Sequence, residues 1–255
     1  MIQINGLVKT YERLVAVNHI DLNIPEGEFF GFLGPNGAGK TTTIKMLVGL
    51  LKPTGGTITI GGYDIVQQPV AAKALLGYIP DRPFIYEKLT GREYLQFIAD
   101  IYEMDTRQAA HRANRYFEFF DLAEAADELI EGYSHGMKQK LIISGALLHE
   151  PRVVIVDEPM VGLDPKGARQ VKELFAELCR KGVTVFMSTH SLGIAQAMCQ
   201  RIGIIQKGRV IALGSMDELR RQARKDHEHL EDLFLELTGD TDLEQLIRLI
   251  STPAA

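Results

Sequence analysis

The segment Gly34-Pro35-Asn36-Gly37-Ala38-Gly39-Lys40-Thr41 carries more structural information than any other part of this chain. It fits the spacing G-x-x-x-x-G-K-[ST], which is typical of a loop that holds the phosphates of a nucleoside triphosphate. Its glycines tolerate positive φ, so the backbone can turn tightly and present its N–H groups to an anion at the start of a helix. We predict that Lys40 reaches the β and γ phosphates and that the Thr41 hydroxyl binds Mg²⁺.

The residues on either side of this loop provide the context that the motif requires. Glu28–Leu33 precedes it and has the pattern of a buried strand. After it, apolar residues recur at helical spacing, namely Ile44, Leu47, Val48 and Leu51. Lys52-Pro53-Thr54-Gly55-Gly56 is predicted to end that helix. Strand, loop and helix together favour a nucleotide site over the alternative of a glycine-rich turn without a ligand.

Composition and charge narrow the class of protein. The chain has 255 residues, of which 45% are hydrophobic and 24% are charged, as in ordinary globular proteins. A net charge of −5 argues against a protein that wraps nucleic acid. Nothing approaches 18 consecutive apolar residues, and the N-terminus lacks the pattern of a signal peptide. Two cysteines, Cys179 and Cys199, indicate reduced thiols, so we expect a cytoplasmic location.

The pattern along the chain predicts an α/β fold with a helical insertion. His19–Ile24 alternates like an antiparallel strand, Thr90-Gly91-Arg92-Glu93 is a capping box, and Val153–Val156 is a continuous apolar run typical of a central parallel strand. We predict a mixed-sheet core with an N-terminal antiparallel β part (1–82 and 150–215), a helical subdomain (83–149) and a C-terminal helical extension (216–255).

Acidic residues and a histidine follow two other predicted buried strands. Asp157 and Glu158 come directly after Val153–Val156, where open parallel sheets bind their ligands. Phosphoryl transfer needs a carboxylate near Mg²⁺ and a group that orients water, so we assign Asp157 to the metal side and Glu158 to the base. His190 follows the strand Val183–Ser188 and can hydrogen-bond the γ phosphate or the attacking water. The alternatives are a solvated acidic turn and a structural histidine.

These features stand in an order that resembles a known family. Gly34–Thr41 resembles Walker A, and Val153–Glu158 resembles Walker B with a catalytic glutamate. Tyr133-Ser134-His135-Gly136-Met137-Lys138-Gln139-Lys140 resembles the signature sequence, Gly162-Leu163-Asp164 the D-loop, and His190 the switch histidine. Together they resemble the nucleotide-binding subunit of ATP-binding cassette (ABC) transporters over residues 1–215.

The resemblance implies a set of site residues and partners. Tyr11 matches the aromatic residue that stacks on adenine, and Ser134 and Gly136 match signature residues that cover an ATP held by a second subunit in a head-to-tail dimer. Glu158, His190 and Lys40 are the expected catalytic residues, and Thr41, Asp157 and Asp81 the expected metal side. The expected nucleotide contacts are Tyr11, Gly34, Pro35, Asn36, Gly37, Ala38, Gly39, Lys40, Thr41, Thr42, Ser134 and Gly136.

Several positions depart from the family pattern. The signature has His135 and Met137 where glycine and glutamine are usual, and the D-loop has Val161-Gly162 where serine and alanine are commoner. Asp81 stands at the position of the Q-loop glutamine. Aspartate keeps a hard oxygen for Mg²⁺, but it adds charge and has a shorter side chain. Its position between the core and the helical part also suits a coupling loop.

The leading functional hypothesis is an ATPase that drives a separate membrane permease. The permease is expected to bind near Asp81–Thr90 and to hold the protein at the inner face of the membrane. The stretch His229–Gly239 resembles the C-terminal extension of bacterial exporter-type ATPases, which favours export. One alternative is a soluble ABC ATPase, such as an iron–sulfur assembly ATPase. A GTPase is disfavoured, because the chain has no Asn-Lys-x-Asp motif.

Overall fold

The computed structural model describes residues 1–82, 84–222, 230–231 and 234–235. Within these ranges, the strands are β1 (Ile2–Tyr11), β2 (Leu14–Ile24), β3 (Phe29–Leu33), β4 (Gly55–Ile60), β5 (Tyr63–Asp64), β6 (Leu76–Ile79), β7 (Val153–Asp157), β8 (Thr184–Ser188), β9 (Arg201–Gln206) and β10 (Arg209–Gly214). The α-helices are α1 (Lys40–Leu47), α2 (Pro69–Ala74), α3 (Gly91–Ile101), α4 (Thr106–Phe119), α5 (His135–Leu147), α6 (Pro165–Arg180), α7 (Leu192–Met198) and α8 (Met216–Gln222).

The strands form two sheets, and this confirms the predicted α/β class with an N-terminal antiparallel part. The first sheet is antiparallel and has the order β2-β1-β4-β5. The second has the order β10-β9-β3-β8-β7-β6, in which β9, β3, β8, β7 and β6 are parallel and β10 is an antiparallel edge. Every residue of β3, β7 and β8 is buried, as expected for parallel strands covered on both faces.

The order of the second sheet brings distant segments together. Strands β3, β8, β7 and β6 are neighbours and run in the same direction, so their carboxyl ends lie along one edge. The segments that leave these ends are the phosphate loop after β3, Thr189-His190 after β8, Glu158 after β7 and Pro80-Asp81 after β6. Ligands of open α/β sheets bind at this edge, so the fold collects four candidate segments in one place.

A helical region follows β6. The Thr90 hydroxyl accepts a hydrogen bond from the Glu93 N–H (3.1 Å), and the Glu93 carboxylate accepts one from the Thr90 N–H (2.8 Å), which is the predicted capping box. Helices α3, α4 and α5 share a hydrophobic core that includes Leu95, Phe117 and Leu141. Between α4 and α5 the chain forms turns and a short 3-10 helix rather than continuous helix. The division into domains stays a prediction.

Two helix ends differ from the sequence pattern or lie partly outside the described residues. Helix α1 ends at Leu47, earlier than the apolar spacing suggested, because Gly49 adopts a positive φ of 67° and the Leu50 N–H turns back to the Lys45 carbonyl. Helix α8 begins after Ser215, whose hydroxyl accepts a hydrogen bond from the Glu218 N–H (3.3 Å). Most of the predicted extension 216–255, including most of 229–239, lies outside the described residues. In the described ranges, we find no helix long and apolar enough to cross a membrane.

Candidate functional site

A cleft of about 700 Å³ opens at the carboxyl edge of the second sheet. Twelve of the predicted site residues line it, whereas Gly34, Pro35, Ser134 and Gly136 do not. The predicted residues in the cleft are Tyr11, Asn36, Gly37, Ala38, Gly39, Lys40, Thr41, Thr42, Asp81, Asp157, Glu158 and His190. The cleft is of the size that binds a small organic ligand.

The phosphate loop is shaped by close backbone contacts. A Cβ atom on Gly34 would lie 2.3 Å from the Ile205 carbonyl oxygen, and one on Gly39 would lie 2.6 Å from that of Ala16. Gly39 also has a φ of 112° and immediately precedes α1, so it provides no side-chain cap. The N–H groups of the first helical turn are therefore left for an anion in the cleft, where the helix dipole also favours negative charge.

Lys40 is folded back onto its own loop. Its Nζ donates hydrogen bonds to the carbonyl oxygens of Gly34 (2.6 Å) and Pro35 (3.1 Å). Burial lowers the pKa of the Lys40 ammonium, and the carboxylates of Glu158 and Asp157 oppose that shift. The arrangement keeps a cation between the loop and the acidic side of the cleft, where a triphosphate would need one.

Asp157 and Asp81 supply oxygen atoms on the acidic side. Asp157 is buried at the end of β7, and this burial raises the pKa of its carboxyl. The negative charges of Asp81 and Glu158 raise the same pKa further. Asp81 is exposed in the loop after β6. In the described part of the chain, no group of three or more His, Cys, Asp or Glu residues could hold a metal ion. With the Thr41 hydroxyl, these few hard oxygens still fit Mg²⁺, because that ion is usually held by one or two carboxylates plus substrate phosphates.

Glu158 is held by the two residues that follow β8. Its Oε1 accepts a hydrogen bond from the His190 N–H (2.7 Å) and lies 2.8 Å from His190 Nδ1. Its Oε2 accepts a hydrogen bond from the Thr189 hydroxyl (3.0 Å). The Glu158 side chain is 15% exposed, against 71% for His190. Its backbone has a φ of 52°, an unfavourable conformation for a residue with a Cβ and one often found at functional sites.

Part of the cleft wall is apolar. The ring of Tyr11 is exposed at the end of β1, and the Nζ of Lys9 lies 5.2 Å from its centroid. Leu14 and Val15, both exposed at the start of β2, continue this wall. A tyrosine beside aliphatic side chains suits a planar aromatic ligand. The cleft around Tyr11, which is predicted to stack on adenine, is therefore lined by apolar side chains.

Sequence reasoning missed several lining residues and one supporting residue. Thr189 directly precedes His190 in the sequence, and its hydroxyl is the signal that could have identified it. Lys207 and Gly208 enter from the turn between β9 and β10, and the Gly208 N–H donates to the Ala38 carbonyl oxygen (2.9 Å). A Lys-Gly pair between two apolar runs indicates such a turn, but its position against the phosphate loop depends on strand order.

The first turn of α5 lies outside the cleft. The Ser134 hydroxyl caps this helix by accepting a hydrogen bond from the Met137 N–H (3.2 Å). Ser134 is exposed and Gly136 is half-buried. The phosphate loop, His190 and the Asp157–Glu158 pair therefore line one cleft. Ser134 and Gly136 do not line it.

Comparisons with known proteins agree with this geometry. Residues 17–161 match the family model described as ABC transporter. The chain is 39% identical over 219 residues to the linearmycin resistance ATP-binding protein LnrL of Bacillus subtilis (strain 168), which covers 86% of this chain and 70% of that protein.

Solved structures are similar over most of the chain. An ATP-binding subunit of an ABC transporter matches with a TM-score of 0.89 and 34% identity, covering 93% of this chain and 99% of the other. The dimeric ATP-binding cassette MJ0796, in a post-hydrolysis state bound to ADP and Pi, matches with a TM-score of 0.78 and 25% identity, covering 85% and 99%. Both alignments are long enough to include the cleft and the helical region.

Proposed function

Because the chain belongs to the ABC transporter family, as the family model and the relatives show, we propose that it is the ATPase subunit that drives a membrane exporter. The chain is an ATP-binding, ATP-hydrolysing cassette, and the motif resemblance to this family is confirmed. The export direction is supported by the relative that is named for linearmycin resistance. The cargo of this chain is left open.

The observation that carries the proposal is the placement of Glu158 in the cleft. Glu158 lines the same cleft as the phosphate loop, and its carboxylate is fixed by hydrogen bonds from Thr189 and His190 at the end of β8. We propose that Glu158 accepts a proton from a water molecule whose oxygen attacks the γ phosphorus of ATP, so that ADP leaves and inorganic phosphate forms. His190 orients the Glu158 carboxylate and hydrogen-bonds the γ phosphate in this proposal.

The remaining residues of the cleft have binding roles in this proposal. Lys40 leaves the carbonyl oxygens of its own loop and pairs with the β and γ phosphates, and Tyr11 stacks on the adenine. Thr41, Asp157 and Asp81 would hold Mg²⁺, which when bound would neutralise charge that develops on the phosphates. The N–H groups of the loop residues and of Thr42 bind phosphate oxygens.

Partners complete the proposed assembly. Since Ser134 and Gly136 lie outside the cleft, a second cassette would meet them, and the dimeric form of MJ0796 supports such a pair. The permease would bind the segment after Asp81, where Phe84 and Tyr86 are 87% and 61% exposed. Such exposed aromatic side chains are typical of interaction sites. The protein is then cytoplasmic and peripheral to the membrane, with no nucleic-acid partner.

A soluble ABC ATPase, such as an iron–sulfur assembly ATPase, is the competing proposal. It shares the cleft and predicts the same hydrolysis. The linearmycin resistance relative, at 39% identity, favours the transporter. Association with an integral membrane protein separates the two.

The catalytic role of Glu158 is tested with the substitution Glu158→Gln. We expect hydrolysis to slow by about 10²–10⁴-fold, the usual contribution of a general base, while ATP binding is retained. Steady-state ATPase assays and binding of a fluorescent ATP analogue measure the two effects. Glu103→Gln is a matched control, because Glu103 is exposed outside the cleft and has the same φ of 52°. An unchanged ATPase rate in Glu158→Gln would remove Glu158 from this role.

A further inference from the structure

Two departures from the family pattern, His135 at the start of α5 and Gly162 before α6, touch each other. A Cβ atom placed on Gly162 would lie 1.8 Å from Cδ2 and 2.5 Å from Nε2 of His135. Carbon atoms in contact lie about 3.5–4.0 Å apart, so the imidazole fills the space that a side chain at position 162 would need. A residue with a Cβ at position 162 would therefore displace the His135 ring from this place.

The turn that contains Gly162 has weak restraints of its own. The Val161 N–H donates to the Glu158 carbonyl oxygen and the Leu163 N–H donates to that of Met160, each over 3.3 Å, at the long limit for such bonds. Gly162 itself has a φ of 78°. Val161 lines the nucleotide cleft, so the position of this turn sets part of the cleft wall.

The first turn of α5 is anchored more firmly. Ser134 caps it through the Met137 N–H, and Lys138 forms an ion pair with Glu87 at 2.6 Å. The backbones of the two segments also approach closely, since a Cβ on Gly136 would lie 2.9 Å from the Gly162 carbonyl oxygen. The ring of His135 thus links an anchored helix end to a loosely held turn.

We propose that His135 is a positioning residue that holds the Val161–Leu163 turn against the first turn of α5. The inference rests on the proposed function, in which the first turn of α5 faces the ATP of a second subunit. The turn and the helix end then meet that subunit as one surface. Because the turn begins at the Glu158 carbonyl, its displacement also reaches the catalytic carboxylate.

The test compares variants of the full chain that alter the contact in different ways. His135→Gly removes the ring, and His135→Phe keeps a flat ring without imidazole nitrogens. Gly162→Ala adds a methyl group in the space that the His135 ring occupies. The double variant His135→Gly with Gly162→Ala completes a cycle. Gly62→Ala is the matched control for the backbone, because Gly62 has a φ of 90° and no atom within 4 Å of a Cβ.

We expect kcat to fall about tenfold or more in His135→Gly and in Gly162→Ala, with KM for ATP within about twofold of the parent, since a misplaced site slows chemistry more than binding. His135→Phe should stay within about threefold of the parent. The double variant should lose no more than the worse single variant, because both changes break one contact. The melting temperature of His135→Gly should stay close to that of the parent, which separates positioning from folding.

Three outcomes would overturn the proposal: parental kcat in His135→Gly, losses that multiply in the double variant, or His135→Phe as slow as His135→Gly. Hydrogen exchange of the amides of residues 160–164 provides an independent readout, and it should speed up in His135→Gly but not in His135→Phe. If the parent protein hydrolyses no ATP, the proposed function fails, while the exchange result still decides the role of His135.

Discussion

At the scale of single residues, Gln139 stands out as a buried amide without a partner. It is 1% exposed on α5, and neither its Nε2 nor its Oε1 has a hydrogen-bond partner among the residues that the structure describes. A buried polar group left unpaired costs about 1–3 kcal/mol relative to an apolar group of the same shape.

We predict that Gln139→Met raises the free energy of unfolding by about 1 kcal/mol, because it removes two unpaired polar atoms at similar side-chain volume. Urea unfolding of the full chain measures the change. Gln170→Met is the comparison and should gain no stability, since the Gln170 Oε1 also has no partner among the described residues but its Nε2 donates to the Phe119 carbonyl oxygen (2.6 Å). Loss of stability in Gln139→Met would show that its amide is already paired.

Asp81 provides a second residue-level prediction. Its charge helps to raise the pKa of the Asp157 carboxyl, which places both groups on the same side of the cleft. We expect Asp81→Gln to raise the Mg²⁺ concentration needed for half-maximal ATP binding by about three- to tenfold, or roughly 1 kcal/mol. Titration with Mg²⁺ and a fluorescent ATP analogue measures it. An unchanged midpoint would leave Asp81 with a coupling role alone.

Residues of the site differ in how well the sequence reveals them. Lys40, Thr41 and Glu158 are predictable because local spacing places them after a buried strand or at a helix start. Thr189 and Lys207 are not, because their roles depend on β8 lying beside β7 and on β9 lying beside β3 in the sheet. No local pattern encodes that order, so a hydroxyl that holds Glu158 resembles any buried threonine.

At the scale of secondary-structure elements, one contact joins α3, α5 and β6. The rings of Tyr102 and His149 stack with centroids 3.6 Å apart. The His149 Nε2 lies 3.0 Å from the Leu76 carbonyl oxygen, and the Tyr102 hydroxyl donates to the same atom over 3.4 Å. Leu76 begins β6, which leads to Asp81, so the ends of two helices hold the start of the strand that enters the cleft.

This contact predicts a pH dependence of stability. Burial lowers the pKa of His149 to about 4, whereas an unfolded histidine titrates near 6.5. The unfolded chain then binds more protons between these values, so the stabilisation is complete above about pH 6.5 and is lost as pH falls toward 4. These pKa values correspond to a loss of about 2 kcal/mol between pH 7 and pH 5, which urea unfolding measures.

His149→Gln should flatten this part of the pH profile. The exposed His111 provides the control, since His111→Gln should leave the slope as it is in the parent. A parental slope in His149→Gln would assign the effect to other groups.

Sequence patterns predict the presence of helices and strands better than the residues at which they begin and end. The capping box at Thr90 and the hairpin of β9 and β10 follow from local chemistry, and both are present. The early end of α1 does not follow, because the apolar spacing continues to Leu51 although Gly49 has already turned the chain. An apolar residue that is partly buried beyond the end of a helix can continue the helical spacing of apolar residues, as Leu51 does here.

At the scale of the whole molecule, the site needs nearly the full length of the described chain. Its lining runs from Tyr11 in the first sheet to Gly208 in the last hairpin. The sequence predicts the α/β class and the helical insertion because their periodicities differ. It does not predict which strands are neighbours, since that is decided by packing over long sequence separations.

The transporter proposal makes a prediction about association. We expect the full chain, purified from gently solubilised membranes of its host, to carry an integral membrane protein. Phe84→Asp with Tyr86→Asp should abolish this, because two exposed aromatic contacts would be replaced by charges. Identification of the bound protein by mass spectrometry is the measurement.

Val70→Asp is the matched control for that experiment. Val70 is 82% exposed on α2, so it is also a solvated apolar residue, but it lies outside the segment proposed to bind the permease. Recovery of the chain alone from every preparation would favour a soluble ATPase instead.

Lys40 also has partners within the phosphate loop itself. The ammonium that is expected to meet the phosphates joins the Gly34 and Pro35 carbonyl groups. We expect ATP binding to exchange these partners for phosphate oxygen atoms. A Lys40→Ala protein therefore differs from the parent in its resting form as well, so its weaker ATP binding combines a lost phosphate contact with a looser starting loop.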